Sequence, residues 1–379
     1  MARALVLLAC TPDFDDRVLR ECRLLAEEGH EVELLAWNRG GHGDPDGGLA
    51  GVEVKRFLRP ARAGSGLVQL GGFRAFWRWA LAEGEPYAPD LIHANDLDTL
   101  PAAVRLKRAT GARLLYDSHE NYPEAAAERW GGWARRPVAL LERRLLRHVD
   151  FTITVTQPIA DDLRGRGAGA VEVISNAKDP LTGASDPKLR QRIAPNGGFC
   201  VLYIGALFEH RMIREMVDGA VAAGDGVTLA VGGYGDLTLE GYVREAERAH
   251  PGQVVFLGRV PRALIPSYNF AADALVVIND PDSRNNLLGM PNKFFEAIAE
   301  GKPLVASGEG HLGERVRQLG VGLTVDSRDY SSVTEALRRL ANDGELREEL
   351  SAAAHRAQAQ VNWAAERARL AGIYRSLLK

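Results

Sequence analysis

Four short stretches of this 379-residue chain hold side chains whose types and spacing suit chemistry. The fullest is residues 291–306, PNKFFEAIAEGKPLVA. Pro291 suits the opening of a helix, where a missing N–H costs little. Phe294, Phe295, Ala297 and Ile298 supply an apolar face at helical spacing, Gly301 suits a C-cap, and the apolar run from Pro303 reads as a short buried strand. A helix starting here presents free backbone N–H groups around Asn292, Lys293 and Phe294, a setting that favours a phosphate. Glu296, one turn in, directs a carboxylate toward whatever that phosphate belongs to. The pattern also fits an ordinary helix–strand corner with a solvated glutamate.

The second stretch, Asp117-Ser118-His119-Glu120, follows an apolar strand over 114–116. The strand delivers it to the carboxyl edge of a sheet, where ligands of open α/β sheets sit; a histidine there also serves as a simple local cap. The third, GALFEHR over 205–211, places Arg211 after the first strand of the second half. A guanidinium grips phosphate oxygens in pairs, and an arginine opening a surface helix is the plainer alternative. The fourth, Asp96-Leu97-Asp98, has the spacing of a metal-binding Asp-x-Asp. It stands at a strand end, where polar residues cap the following helix, and no metal is expected. Gly232-Gly233-Tyr234-Gly235 reads as a glycine turn after a strand, a weak signal by itself.

These stretches need a scaffold, and the chain supplies an alternation of strands and helices. An apolar run over 4–9, a polar turn over 11–16, an amphipathic helix over 17–28 closed by Gly29, and a strand over 31–36 form a β-α-β unit, the mark of a parallel sheet. The first turn lacks Gly-x-Gly-x-x-Gly, which disfavours a nicotinamide site. Strands over 52–57, 90–96, 114–116, 151–155 and 171–174 complete the first half. The second half restarts with strands over 199–204, 227–231, 254–257, 274–278, 303–306 and 323–325. Residues 38–51, rich in Gly and Asp, read as a mobile loop. Residues 177–198, rich in Pro, Gly, Asp and Lys, hold the interdomain linker. The chain ends in a helix over 362–378. Its length favours two domains.

Charge is nearly balanced, 47 basic against 50 acidic residues, so nucleic-acid binding is not expected. Cys10, Cys22 and Cys200 have neither metal nor disulfide spacing, which fits a reducing cytoplasm. No apolar run approaches the roughly 20 residues of a membrane span. Two stretches interleave aromatic and basic residues: 67–82, with Phe73, Phe76, Trp77 and Trp79 among Arg74 and Arg78, and 129–148, with Trp130 and Trp133. Each reads as a packed helix or as a face resting on the inner surface of a membrane or on a lipid-linked acceptor.

Residues 291–306 resemble the carboxyl half of the signature of retaining GT-B glycosyltransferases, family 4, in the branch that reads Pro-Asn-Lys-Phe-Phe-Glu. Tyr-Asp-Ser-His-Glu-Asn-Tyr-Pro around His119 resembles the histidine motif of that family. Asp16-Arg17-Val18, with the later Gly29-His30-Glu31-Val32, is similar to its opening, and FLGRVP over 256–261, with Tyr268, to its base-binding turn. The resemblance implies the GT-B fold: an acceptor-binding Rossmann-like domain over 1–180, a linker over 181–198, a nucleotide-sugar domain over 199–361 and a helix over 362–379 returning to the first domain, with a cleft between the domains.

It also implies roles. His119 reaches the donor sugar, and Glu296 the ribose. Arg211, Asn292 and Lys293, with Gly205 and Pro291, hold the diphosphate, and Val260 reads the nucleobase edge. Asp16, Arg17, Asp117 and Glu120 line the acceptor side or the cleft. The chain departs from the pattern at Leu288, where the commoner branch carries a second glutamate, and at Ala206, a usual basic position. The implied reaction moves a sugar from a nucleoside diphosphate sugar, UDP-linked, to a hydroxyl of a glycan, lipid-linked or small-molecule acceptor. It retains the anomeric configuration and needs neither metal nor cofactor beyond the donor. A sugar-nucleotide epimerase of the same architecture and a catalytically idle partner subunit remain alternatives.

Overall fold

A computed structural model describes residues 1–11, 15–39, 49–60 and 70–379. The polar turn expected over 11–16, the loop over 38–51 and the start of the helix over 67–82 lie partly outside those residues.

The chain divides into two compact units, Met1–Ser175 with Glu366–Lys379, and Asn176–Ala365. Among the described residues, the first holds seven parallel strands: β1 Arg3–Leu8, β2 Glu31–Asn38, β3 Val52–Leu58, β4 Leu91–Asn95, β5 Arg113–Ser118, β6 Phe151–Thr154 and β7 Val171–Val173. Their order is β3-β2-β1-β4-β5-β6-β7. The second holds six: β8 Phe199–Leu207, β9 Val227–Gly235, β10 Val254–Gly258, β11 Ala274–Val277, β12 Leu304–Ser307 and β13 Gly322–Val325. Their order, β10-β9-β8-β11-β12-β13, repeats the same winding. Each sheet therefore reverses direction once, between β1 and β4 and between β8 and β11. Ligands of doubly wound sheets bind at the strand carboxyl ends at such reversals.

The strands are apolar because helices cover both faces. Leu5, Val6, Leu7, Leu34, Leu35, Leu114 and Leu115 are fully buried in the first unit, as are Val201, Leu202, Leu304 and Val305 in the second. Helix Asp16–Glu27 opens on Asp15, whose carboxylate accepts from the Val18 N–H, and buries Val18, Cys22 and Leu25. From Glu366 onward helix Trp363–Leu377 belongs to the first unit, where Leu370 and Tyr374 are fully buried.

Two expectations are corrected. The segment read as a linker over 181–198 belongs to the second unit and contains helix Pro187–Ile193, with Ile193 buried in the core cluster of Leu202, Tyr268 and Ala271. Its composition reflects a Pro-opened helix capped by Asp186. Next, Gly232–Gly235 is strand, not turn: β8 and β9 stay paired through Gly205↔Gly233, Ala206↔Tyr234 and Leu207↔Gly235. Glycine permits this because a Cβ on Gly233 would stand 1.8 Å from the Gly205 carbonyl oxygen. Gly205 accordingly lies inside β8, and a single helical turn, Glu209–Arg211, separates the strand from helix Ile213–Ala223. Of the two readings offered for residues 67–82, the packed helix is the one that helix Leu70–Tyr87 fits. Trp37 and Phe76 are fully buried against Phe57, Phe73, Trp77 and Trp79, and Trp77 Nε1 donates to the Asp98 carbonyl at 2.7 Å.

Candidate active site

In the first unit, the carboxyl ends of β1, β4 and β5 bring three acidic groups around His119. Its Nε2 lies 3.1 Å from Asp117 Oδ2. Its Nδ1 lies 3.5 Å from Asp96 Oδ1 and 3.9 Å from Asp15 Oδ2. The His119 N–H also donates to Asp96 Oδ1 at 3.3 Å. Burial alone would lower the imidazole pKa, but Asp96 and Asp117 outweigh it and push it up to about 10. His119 is thus an imidazolium at neutral pH, a donor and not a base.

Asp96 was read as a helix cap and does something else. It follows β4 with φ of +68°, a left-handed conformation uncommon outside glycine, and its carboxylate turns to His119. Burial raises the Asp96 carboxyl to about 7. The partner of Asp98 is Arg39, at 3.3 Å.

Arg17 and Asp117, expected on the acceptor side or in the cleft, are 5% and 0% exposed and face the interior of the first unit. They form a two-pronged ion pair, Nε to Oδ2 at 2.6 Å and Nη2 to Oδ1 at 3.0 Å, and Arg17 Nη1 donates to the Ile174 carbonyl at 2.6 Å. Burial would raise the Asp117 carboxyl, yet Arg17 and His119 hold it well below the carboxylate range. Asp16 and Glu120 are exposed. Glu21, His93 and Asp117 bring three potential ligand atoms within 4.8 Å of one another. The cation they face is Arg17, 3.1 Å from Glu21 and 2.6 Å from Asp117, and its bulk leaves them a poor metal site.

In the second unit the polar groups again gather beyond β8 and β11. Arg211 Nη1 donates to Asn279 Oδ1 at 2.8 Å, and the Asn279 N–H donates to Ser307 Oγ at 2.7 Å, so the guanidinium is anchored across the sheet reversal. Helix Asn292–Glu300 begins at the exposed Asn292; Pro291 is its extended cap residue and not part of its first turn. Lys293 is 7% exposed, gives its ammonium to the Ile204 carbonyl and lies 4.9 Å from the Tyr203 ring centroid, which ties the helix start to β8. Glu296 Oε1 accepts from Lys178 Nζ at 3.0 Å. Burial would raise its pKa, but Lys293 and Lys178 lower it, so it stays ionised. Val260 packs where a Cβ on Gly232 would meet its Cγ2 at 2.8 Å. Leu288 sits on the short helix Arg284–Leu288, and Ala206 is exposed within β8.

Sequence reasoning missed Glu21, His93, Tyr374, Lys178 and Asn279. The Asp-x-Asp spacing pointed to Asp96, although for the wrong chemistry.

Two doubly wound parallel sheets, each collecting charged side chains at its strand carboxyl ends, define a two-domain α/β enzyme of the nucleotide-dependent class. The model of the Glycosyl transferase 4-like domain matches residues 15–177, and that of Glycosyl transferases group 1 matches residues 198–343, so the chain belongs to the glycosyltransferases built from this pair of domains. It is a glycosyltransferase with a nucleotide-sugar donor. Among curated relatives, it is 26% identical to a Mycobacterium tuberculosis glycogen synthase over 84% of this chain and 80% of the relative. It is 25% identical to a GDP-mannose-dependent phosphatidylinositol monomannoside mannosyltransferase of the same species, over 75% and 77%. Among solved structures, sucrose-phosphate synthase from Thermosynechococcus elongatus superposes with a TM-score of 0.81 at 20% identity, over 100% and 99% of the two chains. Anabaena HepE with UDP and glucose follows at 0.75 and 18%, over 99% and 100%. Among the described residues, no helix is long and apolar enough to cross a membrane.

Proposed function

We propose that the protein transfers a hexosyl group from a UDP-sugar to an acceptor hydroxyl with retention of configuration. The observation that carries this reading is the group beyond β8 and β11: Arg211 anchored on Asn279, the exposed helix start at Asn292, and an ionised Glu296 one turn in. Cation and backbone N–H groups suit a diphosphate, and a carboxylate suits the paired hydroxyls of a ribose. Uridine as the base is supported by HepE, whose structure holds UDP; the GDP-mannose-dependent relative makes guanosine the alternative to test. Relatives spanning over two thirds of both lengths are named as synthase and transferase, which does not favour the epimerase or idle-subunit readings.

The protonated His119 cannot accept the acceptor's proton. In this mechanism the departing phosphate oxygen takes it, while His119 donates a hydrogen bond to the donor sugar through Nδ1, whose contacts to Asp96 and Asp15 are loose enough to yield to a hydroxyl. The protein contributes positioning and charge. Thermal-shift titration with UDP and GDP, followed by NMR of the product from a UDP-sugar and an acceptor panel, tests the reading. UDP at a hundredfold excess over Kd is expected to add about 2.7 kcal/mol of stability. Preference for GDP, an inverted product, or a sugar altered without acceptor would each overturn the corresponding part.

We also assign lipid contact to the exposed Trp133, Leu140 and Leu141 beside Arg136, Arg143 and Arg144. Absence of co-sedimentation with anionic vesicles at low salt would remove that assignment.

A further inference from the structure

Behind His119 the first unit holds buried polar groups that the transfer step leaves unused. Tyr374, on the C-terminal helix, places its hydroxyl 3.0 Å from His93 Nδ1, and both residues are fully buried. His93 Nε2 lies 3.6 Å from Glu21 Oε2 and 4.0 Å from Asp117 Oδ2. His93 Nε2 and both Glu21 carboxylate oxygens are buried without a conventional hydrogen-bond partner among the described residues. Orphaned groups of this kind are costly unless they serve one another.

One assignment of protons serves them all. Burial, then the neighbouring Asp117, raises Glu21 well above the carboxylate range, so it is a neutral carboxyl with a proton to donate to Asp117. Burial pushes His93 down to about 4, so it is neutral, with one N–H. The Tyr374 O–H then donates to His93 Nδ1 at 3.0 Å, the His93 Nε2–H faces the Glu21 carboxyl at 3.6 Å, and Glu21, His93 and Asp117 lie within 4.8 Å of one another, so a small side-chain movement lets the Glu21 O–H serve Asp117. Asp117 also accepts from Arg17 and His119. The donors all run one way, from the C-terminal helix to the carboxylate that holds His119.

We propose that Tyr374, His93 and Glu21 are positioning residues for sugar transfer: a one-way donor chain that fixes Asp117 and, through it, the His119 ring. The proposal rests on the reading of His119 given above. It separates a neutral Glu21, which hands a proton to Asp117, from an ionised Glu21, which would act as a countercharge to Arg17.

The experiment uses full-length variants Tyr374→Phe, Glu21→Leu and Glu21→Gln, each alone and combined with His119→Ala, with kcat, donor KM, nucleotide Kd and Tm measured for all. Tyr374→Phe and Glu21→Leu are expected to lower kcat by about 3- to 10-fold, the size of one lost hydrogen bond, with KM and Kd unchanged. Glu21→Gln, whose amide donates and accepts as the neutral carboxyl does, is expected to recover most of the rate that Glu21→Leu loses. In the His119→Ala background the losses are expected to vanish, because the chain acts through that ring. Losses that persist in that background, or a Glu21→Gln as slow as Glu21→Leu, would overturn the proposal while leaving His119 in its role. If His119→Ala alone keeps the full rate, the His119 reading falls and takes the chain with it.

Discussion

The two units share a strand order and gather their polar groups at the same end of the sheet, yet they collect opposite charges there. Around His119 and Arg17 the first unit places Asp15, Asp96 and Asp117. Around Glu296 the second places Lys178 and Lys293, with Arg211 tied to Asn279 nearby at the sheet reversal. The winding decides where ligating groups stand, and the residues just past each strand decide their sign. A cationic edge suits a diphosphate; an acidic edge suits hydroxyls and an imidazolium that must stay charged. The two also differ in depth. The Arg17–Asp117 pair is sealed, whereas Lys178 remains 30% exposed opposite Glu296.

Depth gives the largest expected effect. Asp117→Asn strands the buried Arg17 charge and is expected to cost about 3–5 kcal/mol in urea unfolding, the range for breaking a buried pair. Glu296→Gln leaves its main partner in reach of water and is expected to cost about 1–2 kcal/mol. Equal losses at the two sites would remove the distinction between a sealed and an open edge.

Sign gives the next. Arg211→Ala and Glu296→Gln are expected to weaken UDP binding by about 1–3 kcal/mol, and Arg211→Ala to spare uridine, which has no phosphate. His119→Ala is expected to leave UDP affinity alone and to lower kcat by about 10- to 100-fold. Calorimetric titration and steady-state rates separate the two. A loss of UDP affinity in His119→Ala would show that the acidic edge takes part in nucleotide capture.

Much of this contrast was legible in the sequence, and the reason is physical. A parallel strand covered on both faces must be a short apolar run, so all thirteen strands could be read. The strand ends most misjudged were those of β8 and β9, where Gly205 and Gly233 let two backbones approach closely enough to stay paired. His119, Arg211 and Glu296 were visible because each stands just past a strand or at a helix start. The groups that hold them were not. His93 and Tyr374 are 281 positions apart, and Lys178 and Glu296 118 apart. A lone histidine inside an apolar strand and a lone tyrosine on a terminal helix look like packing until the fold joins them. Lys178 lay in a segment whose composition suggested a linker.

The last expected effect concerns pH. His119 has its pKa raised from the ordinary 6.5 to about 10, with Asp96 and Asp117 outweighing the burial that would lower it. Glu300, in the second unit, has its carboxyl raised from 4.5 to about 8, by burial first and then by the nearby Glu296. A group whose folded pKa is raised stabilises fully below its unfolded pKa and loses that contribution as pH rises through the folded one. His119 therefore supports the first unit below pH 6.5, and the support fades up to about pH 10. Glu300 supports the second unit below pH 4.5, and its support fades up to about pH 8. Stability is expected to fall through two overlapping windows as pH rises toward about 10, the upper one carried by His119 and the lower one shared by Glu300 and by Asp96, whose carboxyl burial raises to about 7. His119→Gln is expected to flatten the upper window and Glu300→Gln to reduce the lower, as read from urea unfolding at pH 5, 7, 9 and 10. An upper window that survives His119→Gln would mean that the imidazole is not held charged by Asp96 and Asp117, and the mechanism in which it donates instead of accepting would lose its basis.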